Sequence, residues 1–168
     1  CCEGVPFPWR GPASLLQTEA NAVEPRELAN RMNKQIRALL VDDHPLVRDG
    51  LRALLTSEVE IDVIGEAADG VEAVHKAYAL QPDVILMDLV LPGLDGIETT
   101  KRIVAANPLA RVLVLTSYSD DLRVRDAIQA GAIGYLLKDV LKAELLNAIR
   151  SAAAGKPALH PDAQQYLM

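Results

Sequence analysis

Residues 84–96 read VILMDLVLPGLDG, and this stretch decides the fold class. Four consecutive apolar residues, Val84–Met87, are typical of a strand buried on both faces, because a strand buried on one face alternates apolar and polar residues. The run ends at a single acid, Asp88, and a turn-forming segment containing Pro92 and Gly93 follows. A buried strand that ends at an acid and a turn indicates a parallel sheet with a ligand site beyond its carboxyl edge.

The same pattern occurs four more times along the chain. Continuous apolar runs predict further strands at 36–41, 62–65, 112–115 and 134–137. Amphipathic segments predict helices near 45–57, 69–80, 95–106, 120–130 and 140–153. Helix-end signals agree: Pro45 suits a first turn, and Asp69 and Asp120 suit N-caps. Five strands joined by crossover helices predict an α/β fold whose parallel sheet is covered on both faces.

Polar residues follow four of the predicted strands at the edge where ligands bind in such sheets. They are Asp42 and Asp43, Asp88, Thr116 and Lys138. Three carboxylates at one edge repel each other unless a cation lies among them. Magnesium fits, because it prefers hard oxygen ligands and combines one or two carboxylates with phosphate oxygens.

Asp88 is the candidate nucleophile for phosphoryl transfer. A carboxylate that attacks a phosphoryl group forms an acyl phosphate, and a metal ion, the Lys138 ammonium and the Thr116 hydroxyl would stabilise the charge on its oxygens. Each residue alone says little, since an Asp after a strand is more often an N-cap or turn former and a loop Lys or Thr is usually solvated. The hypothesis therefore depends on all of them falling at one edge.

Composition excludes several classes of protein. The formal charge of −6 and pI near 5.0 argue against a surface that neutralises nucleic-acid phosphates. The only cysteines, Cys1 and Cys2, are adjacent and form no disulfide framework, which indicates a cytoplasmic protein. No apolar run has the roughly 18 residues of a membrane helix. Residues 1–31 contain four prolines and no clear period, and we predict a disordered extension or residues foreign to the native protein.

The stretch 35–155, which contains these residues, resembles the CheY-like receiver domain of bacterial two-component response regulators. The resemblance lies in four motifs: LVDDH at 40–44, LMD at 86–88 with LPGLDG at 91–96, LTS at 115–117, and GA at 131–132 leading to YLLK at 135–138. Asp139 follows Lys138, where many members of the family have proline.

The resemblance implies a flavodoxin-like (βα)5 sandwich with strand order 2-1-3-4-5. It further implies that Asp88 is the phosphoacceptor and that Mg²⁺ (or Mn²⁺) is held by Asp42, Asp43, Asp88 and the backbone carbonyl of Val90. Thr116 and Tyr135 would be the switch pair, and Lys138 would bind the phosphoryl group. The domain would catalyse only its own phosphoryl transfer and dephosphorylation, and a sensor histidine kinase would be the donor.

Three motifs resemble the NarL/LuxR type, whose members carry a C-terminal helix-turn-helix: VDDHP at 41–45, the GYLLKD run from Gly134, and GKP at 155–157. Residues 156–168 would then begin a linker toward such a domain, absent from this chain, and DNA would be bound only through it to control transcription. The sequence does not decide whether phosphorylation causes homodimer formation. It also leaves the role of His44 undecided: this residue adjoins the acidic pair and could be a metal ligand or a packed or solvated side chain.

Other functions can use a similar sheet. A phosphatase of the haloacid dehalogenase type needs a second Asp two residues after the nucleophile, and that position is Val90. A nucleotide- or flavin-binding module needs a Gly-rich loop after the first strand, where Asp42 and Asp43 stand. A receiver that serves only as a scaffold would lack some of the polar positions named above.

Overall fold

A computed structural model of the protein describes residues 34–117 and 120–159. Nearly all of them belong to one compact unit, Gln35–Met168. The predictions for residues 1–31 and for 160–168 lie outside the described residues.

Six strands and five helices alternate along the described chain. The strands are β1 (Ile36–Val41), β2 (Ile61–Ala67), β3 (Val84–Met87), β4 (Val112–Thr116), β5 (Gly134–Leu137) and β6 (Ala158–Leu159). The helices are α1 (Pro45–Thr56), α2 (Gly70–Leu80), α3 (Gly96–Ala106), α4 (Asp121–Gln129) and α5 (Lys142–Ala153). The predicted N-caps are confirmed, since Asp69 accepts a hydrogen bond from the Glu72 amide and Asp120 from the Arg123 amide.

All neighbouring strands are parallel, in the order β2-β1-β3-β4-β5-β6. The flavodoxin-like order 2-1-3-4-5 is thus confirmed, and β6 extends it beyond β5. This two-residue strand was not predicted, and it falls within the segment expected to begin a linker. It approaches β5 so closely that a Cβ on Gly134 would lie 2.2 Å from the carbonyl oxygen of Ala158.

Two apolar clusters cover the faces of the sheet. Along β1, Leu39 and Val41 belong to the cluster under α2, α3 and α4, whereas Ala38 and Leu40 belong to the cluster under α1 and α5. Both sets are almost completely buried. Burial on both faces explains why the strand sequences are continuously apolar. Among the described residues, no helix is both long enough and apolar enough to span a bilayer.

Candidate functional site

The strand ends bring four predicted segments to the carboxyl edge of the sheet. Asp42 and Asp43 follow β1, Asp88 follows β3, Thr116 ends β4 and Lys138 follows β5. The backbone ladder continues past the strands, because the Asp88 amide donates to the Val41 carbonyl (2.9 Å) and the Lys138 amide donates to the Thr116 carbonyl (2.8 Å). These bonds fix the functional side chains next to one another.

Lys138 joins two of the carboxylates. Its Nζ lies 2.6 Å from Asp42 Oδ2 and 3.0 Å from Asp88 Oδ2. Burial works to lower the pKa of Lys138, but the hydrogen bonds to both acids outweigh burial, and the pKa rises. The ammonium therefore stays charged at neutral pH and links the ends of β1, β3 and β5.

Asp88 is a buried acid, only 4% exposed. Burial raises its pKa above the usual value, although Lys138 pulls it down, and the nearby charge of Asp42 raises it further. The Val90 amide lies 3.4 Å from Asp88 Oδ1. A carboxylate held in this way retains charge that one ammonium only partly compensates, and a further cation nearby would favour its ionised form.

Two buried acceptor atoms at this edge have no hydrogen-bond partner among the described residues. They are Asp43 Oδ1 and Thr116 Oγ1. A buried polar atom without a partner is costly, so such atoms in a folded protein indicate a water, ion or ligand. Their position at the same edge as Asp88 indicates that the site is built to receive something.

His44 and Arg48 complete the surroundings of the acidic pair. His44 Nδ1 lies 3.2 Å from Asp42 Oδ1 and 3.0 Å from Asp43 Oδ1. The Arg48 guanidinium donates to the backbone carbonyl of Asp42. The sequence left the role of His44 open and missed Arg48; the spacing of these two residues, one helical turn apart, was the available signal.

The turn after β3 is held by close backbone packing. The Gly96 amide donates to the Leu89 carbonyl (2.9 Å). A Cβ on Gly96 would lie 2.2 Å from the Asp88 carbonyl oxygen, so only glycine fits there. Gly93 in the same turn has φ of +73°. The turn residues that the sequence singled out thus set the position of Asp88.

Tyr135 lies on β5 behind the site and not in it. Its ring is 1% exposed and belongs to the cluster that contains Val112 and Val114. Burial raises its pKa to about 12, and the charge of Asp120 adds to the effect. Of the predicted switch residues, Thr116 therefore stands at the site, whereas Tyr135 already points into the core.

The donor set suits a hard divalent cation. Ligand atoms of Asp42, Asp43, His44 and Asp88 lie within 4.8 Å of one another. Most of these donors are carboxylate oxygens, and Asp43 Oδ1 accepts no hydrogen bond from the described residues, although His44 Nδ1 lies 3.0 Å away. Oxygen donors in such an arrangement fit Mg²⁺, which takes one or two carboxylates and retains waters.

Comparisons with known proteins identify the family of this chain. The family model "Response regulator receiver domain" matches residues 38–150. The transcriptional regulatory protein LiaR of Bacillus subtilis (strain 168) is 53% identical over 124 residues, which cover 74% of this chain and 59% of LiaR. The chain thus spans less than two thirds of that relative.

Two solved structures have a similar fold. A LuxR-family two-component response regulator from Aurantimonas sp. SI85-9A1 is 40% identical, with a TM-score of 0.76 over 80% of this chain and 96% of that one. The signal receiver domain of the putative regulator NarL from Mycobacterium tuberculosis is 35% identical, with a TM-score of 0.71 over 73% and 99%. The family model covers most of the chain and the fold is shared with these structures, so the chain belongs to the response regulator receiver domain family.

Proposed function

We propose that Asp88 accepts a phosphoryl group from a phosphohistidine of a sensor histidine kinase, in a reaction that requires a divalent cation. One observation carries the proposal: the buried Asp88 carboxylate contacts Lys138 Nζ at 3.0 Å beside the carboxylates of Asp42 and Asp43, and the described residues give Asp43 Oδ1 and Thr116 Oγ1 no hydrogen-bond partner. This arrangement leaves an excess of negative charge around the Asp88 carboxylate.

The carboxylates of Asp42, Asp43 and Asp88 and the backbone carbonyl of Val90 would hold Mg²⁺ or Mn²⁺. When bound, the cation supplies positive charge that offsets the acids and the phosphoryl oxygens. The place of Asp43 in this set is supported by its Oδ1, a buried atom that accepts no hydrogen bond from the described residues.

The protein's own groups carry out the transfer. An Asp88 oxygen forms the new bond to phosphorus while the phosphorus–nitrogen bond of phosphohistidine breaks, and the electron pair of that bond leaves with the kinase imidazole. Lys138 Nζ already contacts Asp88, so it lies within reach of a phosphoryl oxygen. Thr116 Oγ1 is free to donate a hydrogen bond, because it has no partner among the described residues. Both contacts stabilise charge that develops during transfer.

Thr116 and Tyr135 would report the modification as a switch pair. Movement of the Thr116 hydroxyl toward the phosphoryl group would leave the space behind it to the buried Tyr135 ring. A local charge change of this kind biases a two-state element. Apart from its own phosphorylation and dephosphorylation, the domain would catalyse nothing.

The whole protein would be a cytoplasmic transcription regulator. Residues 35–155 would form its receiver, preceded by an extension at 1–31. A linker at 156–168 would follow, and its first part adds β6 (Ala158–Leu159) to the receiver's sheet. DNA would be bound through a C-terminal helix-turn-helix outside this chain, which suits the negative charge of −6. A homodimer formed on phosphorylation would fit such a regulator.

Incubation with acetyl phosphate and Mg²⁺, followed by intact mass measurement, tests the proposal. We expect one added phosphoryl group per chain. No phosphoryl group should be incorporated when EDTA is present during the incubation, and none in Asp88→Asn. Asp62→Asn is the matched control, since Asp62 is an exposed acid on β2 and should leave incorporation unchanged. Many turnovers in a phosphatase assay would instead support the dehalogenase-type hydrolase, although Val90 replaces the second acid that it needs.

A further inference from the structure

We propose that His44 is an additional ligand of the cation site. Its imidazole would let the site bind Zn²⁺, a borderline-soft cation, more tightly than oxygen ligands alone would. The proposal rests on the proposed function only in using the same three carboxylates.

The imidazole nitrogen of His44 lies close to both members of the acidic pair. His44 Nδ1 lies 3.2 Å from Asp42 Oδ1 and 3.0 Å from Asp43 Oδ1. A proton on Nδ1 can be donated to Asp42 Oδ1, yet Asp43 Oδ1 accepts no hydrogen bond among the described residues. A metal ion placed among the three atoms would satisfy all of them at once.

The backbone holds His44 beside the acidic pair. The His44 amide donates to Asp42 Oδ1 (2.9 Å), and His44 has an extended conformation with φ −91° and ψ 111°. Pro45 at the start of α1 favours this conformation, because proline disfavours a helical residue before it. The main chain of His44 is therefore already beside the acids before any cation binds, which reduces the entropy lost on binding.

The donor chemistry selects the cation. Carboxylates alone suit Mg²⁺, whereas imidazole nitrogen suits Zn²⁺ and other first-row transition ions. Asp42, Asp43, Asp88 and His44 together supply three oxygen donors and one nitrogen, a number and type that tetrahedral Zn²⁺ accepts. The His44 side chain is 65% exposed, so a cation can enter from solvent. Zn²⁺ held in this way would compete with Mg²⁺ for the carboxylates.

His75 provides a matched control within the same fold. It lies on α2 and lines a largely apolar cavity of about 420 Å³. Ile85 and Ile103 also line this cavity, and no acid is among its lining residues. Replacement of His75 removes an imidazole without touching the acidic pair. Replacement of His44 removes no helix-capping hydrogen bond, because its side chain makes none to α1.

Titration calorimetry with Zn²⁺ and, separately, Mg²⁺ tests the inference on the full chain. Cys1 and Cys2 are replaced by Ser in every variant, since adjacent thiolates also bind Zn²⁺. We expect His44→Phe and His44→Gln to weaken Zn²⁺ binding by roughly 10-fold or more, and to change Mg²⁺ binding by less than about 2-fold. His75→Phe should change neither affinity.

Two results would overturn the inference. Unchanged Zn²⁺ affinity in both His44 variants would show that the imidazole is no ligand, and equal losses of Zn²⁺ and Mg²⁺ affinity would show that His44 only orients the acidic pair. Failure of the proposed function is a separate result: it appears as absent phosphate incorporation at Asp88 in the parent, whatever the calorimetry gives.

Discussion

Both ends of the parallel sheet carry charged side chains. The carboxyl end has an excess of buried negative charge, whereas the charged groups described at the amino end are paired. At the amino end, the Arg37 guanidinium donates to the carbonyls of Leu80 (2.7 Å) and Gln81 (2.8 Å), at the end of α2. Its backbone amide donates to Asp83 Oδ2 (2.9 Å). Arg111 likewise donates to the Ala153 carbonyl at the end of α5. Cations placed at helix carboxyl ends stabilise carbonyls that would otherwise lack donors.

At the carboxyl end, three acids lie together, the Lys138 ammonium contacts two of them, and two buried oxygen atoms have no hydrogen-bond partner in the part of the chain that is described. Stability alone does not explain this arrangement, because like charges in a buried site oppose folding. We infer that charged side chains paired with backbone groups stabilise the fold, whereas a cluster of charges without full compensation indicates a ligand site.

Loss of Lys138 should have the largest effect on stability. Lys138→Met leaves Asp42 and Asp88 buried without their shared cation, and we expect the free energy of unfolding to fall by about 3 kcal/mol without metal. Mg²⁺ should restore part of this loss. Urea unfolding with EDTA and with Mg²⁺ measures both values. An unchanged midpoint in EDTA would mean that the ion pairs contribute little.

Arg37→Met makes the corresponding change at the other end. It removes two hydrogen bonds to the end of α2, and because the side chain is partly exposed we expect a loss of about 1 kcal/mol. Phosphate incorporation from acetyl phosphate should stay at the parent level, since Arg37 lies far along β1 from Asp88. Reduced incorporation in a variant that remains folded would break the division between the two ends.

Asp88→Asn should have the smallest effect, and in the opposite direction. The pKa of Asp88 is higher in the folded protein than in the unfolded chain, so ionisation of Asp88 lowers the free energy of unfolding as pH rises through the folded pKa. Removing the acid should therefore raise the melting temperature at pH 7 in EDTA. The gain should vanish below the unfolded pKa of about 3.9. A gain that persists at low pH would point to a cause other than charge.

The sequence predicted the strands and the acidic site because the signal there is local. Continuous apolar runs require burial on both faces, and parallel strand ends must meet at one edge, which was enough to bring Asp42, Asp88 and Lys138 together. The two residues of β6 are too few to show any period. The sequence pattern does not specify side-chain rotamers. It therefore could not show that the Tyr135 ring points inward or where the His44 imidazole lies.

Reductive trapping tests the central claim most directly. Borohydride converts the acyl carbon of an aspartyl phosphate to an alcohol and so turns the modified residue into homoserine, which peptide mass mapping locates. After incubation with acetyl phosphate and Mg²⁺, we expect homoserine at position 88 and at no other acid. Homoserine at position 42 or 43, or phosphate that stays on a serine, threonine or histidine after reduction, would contradict the assignment of Asp88 as the acceptor.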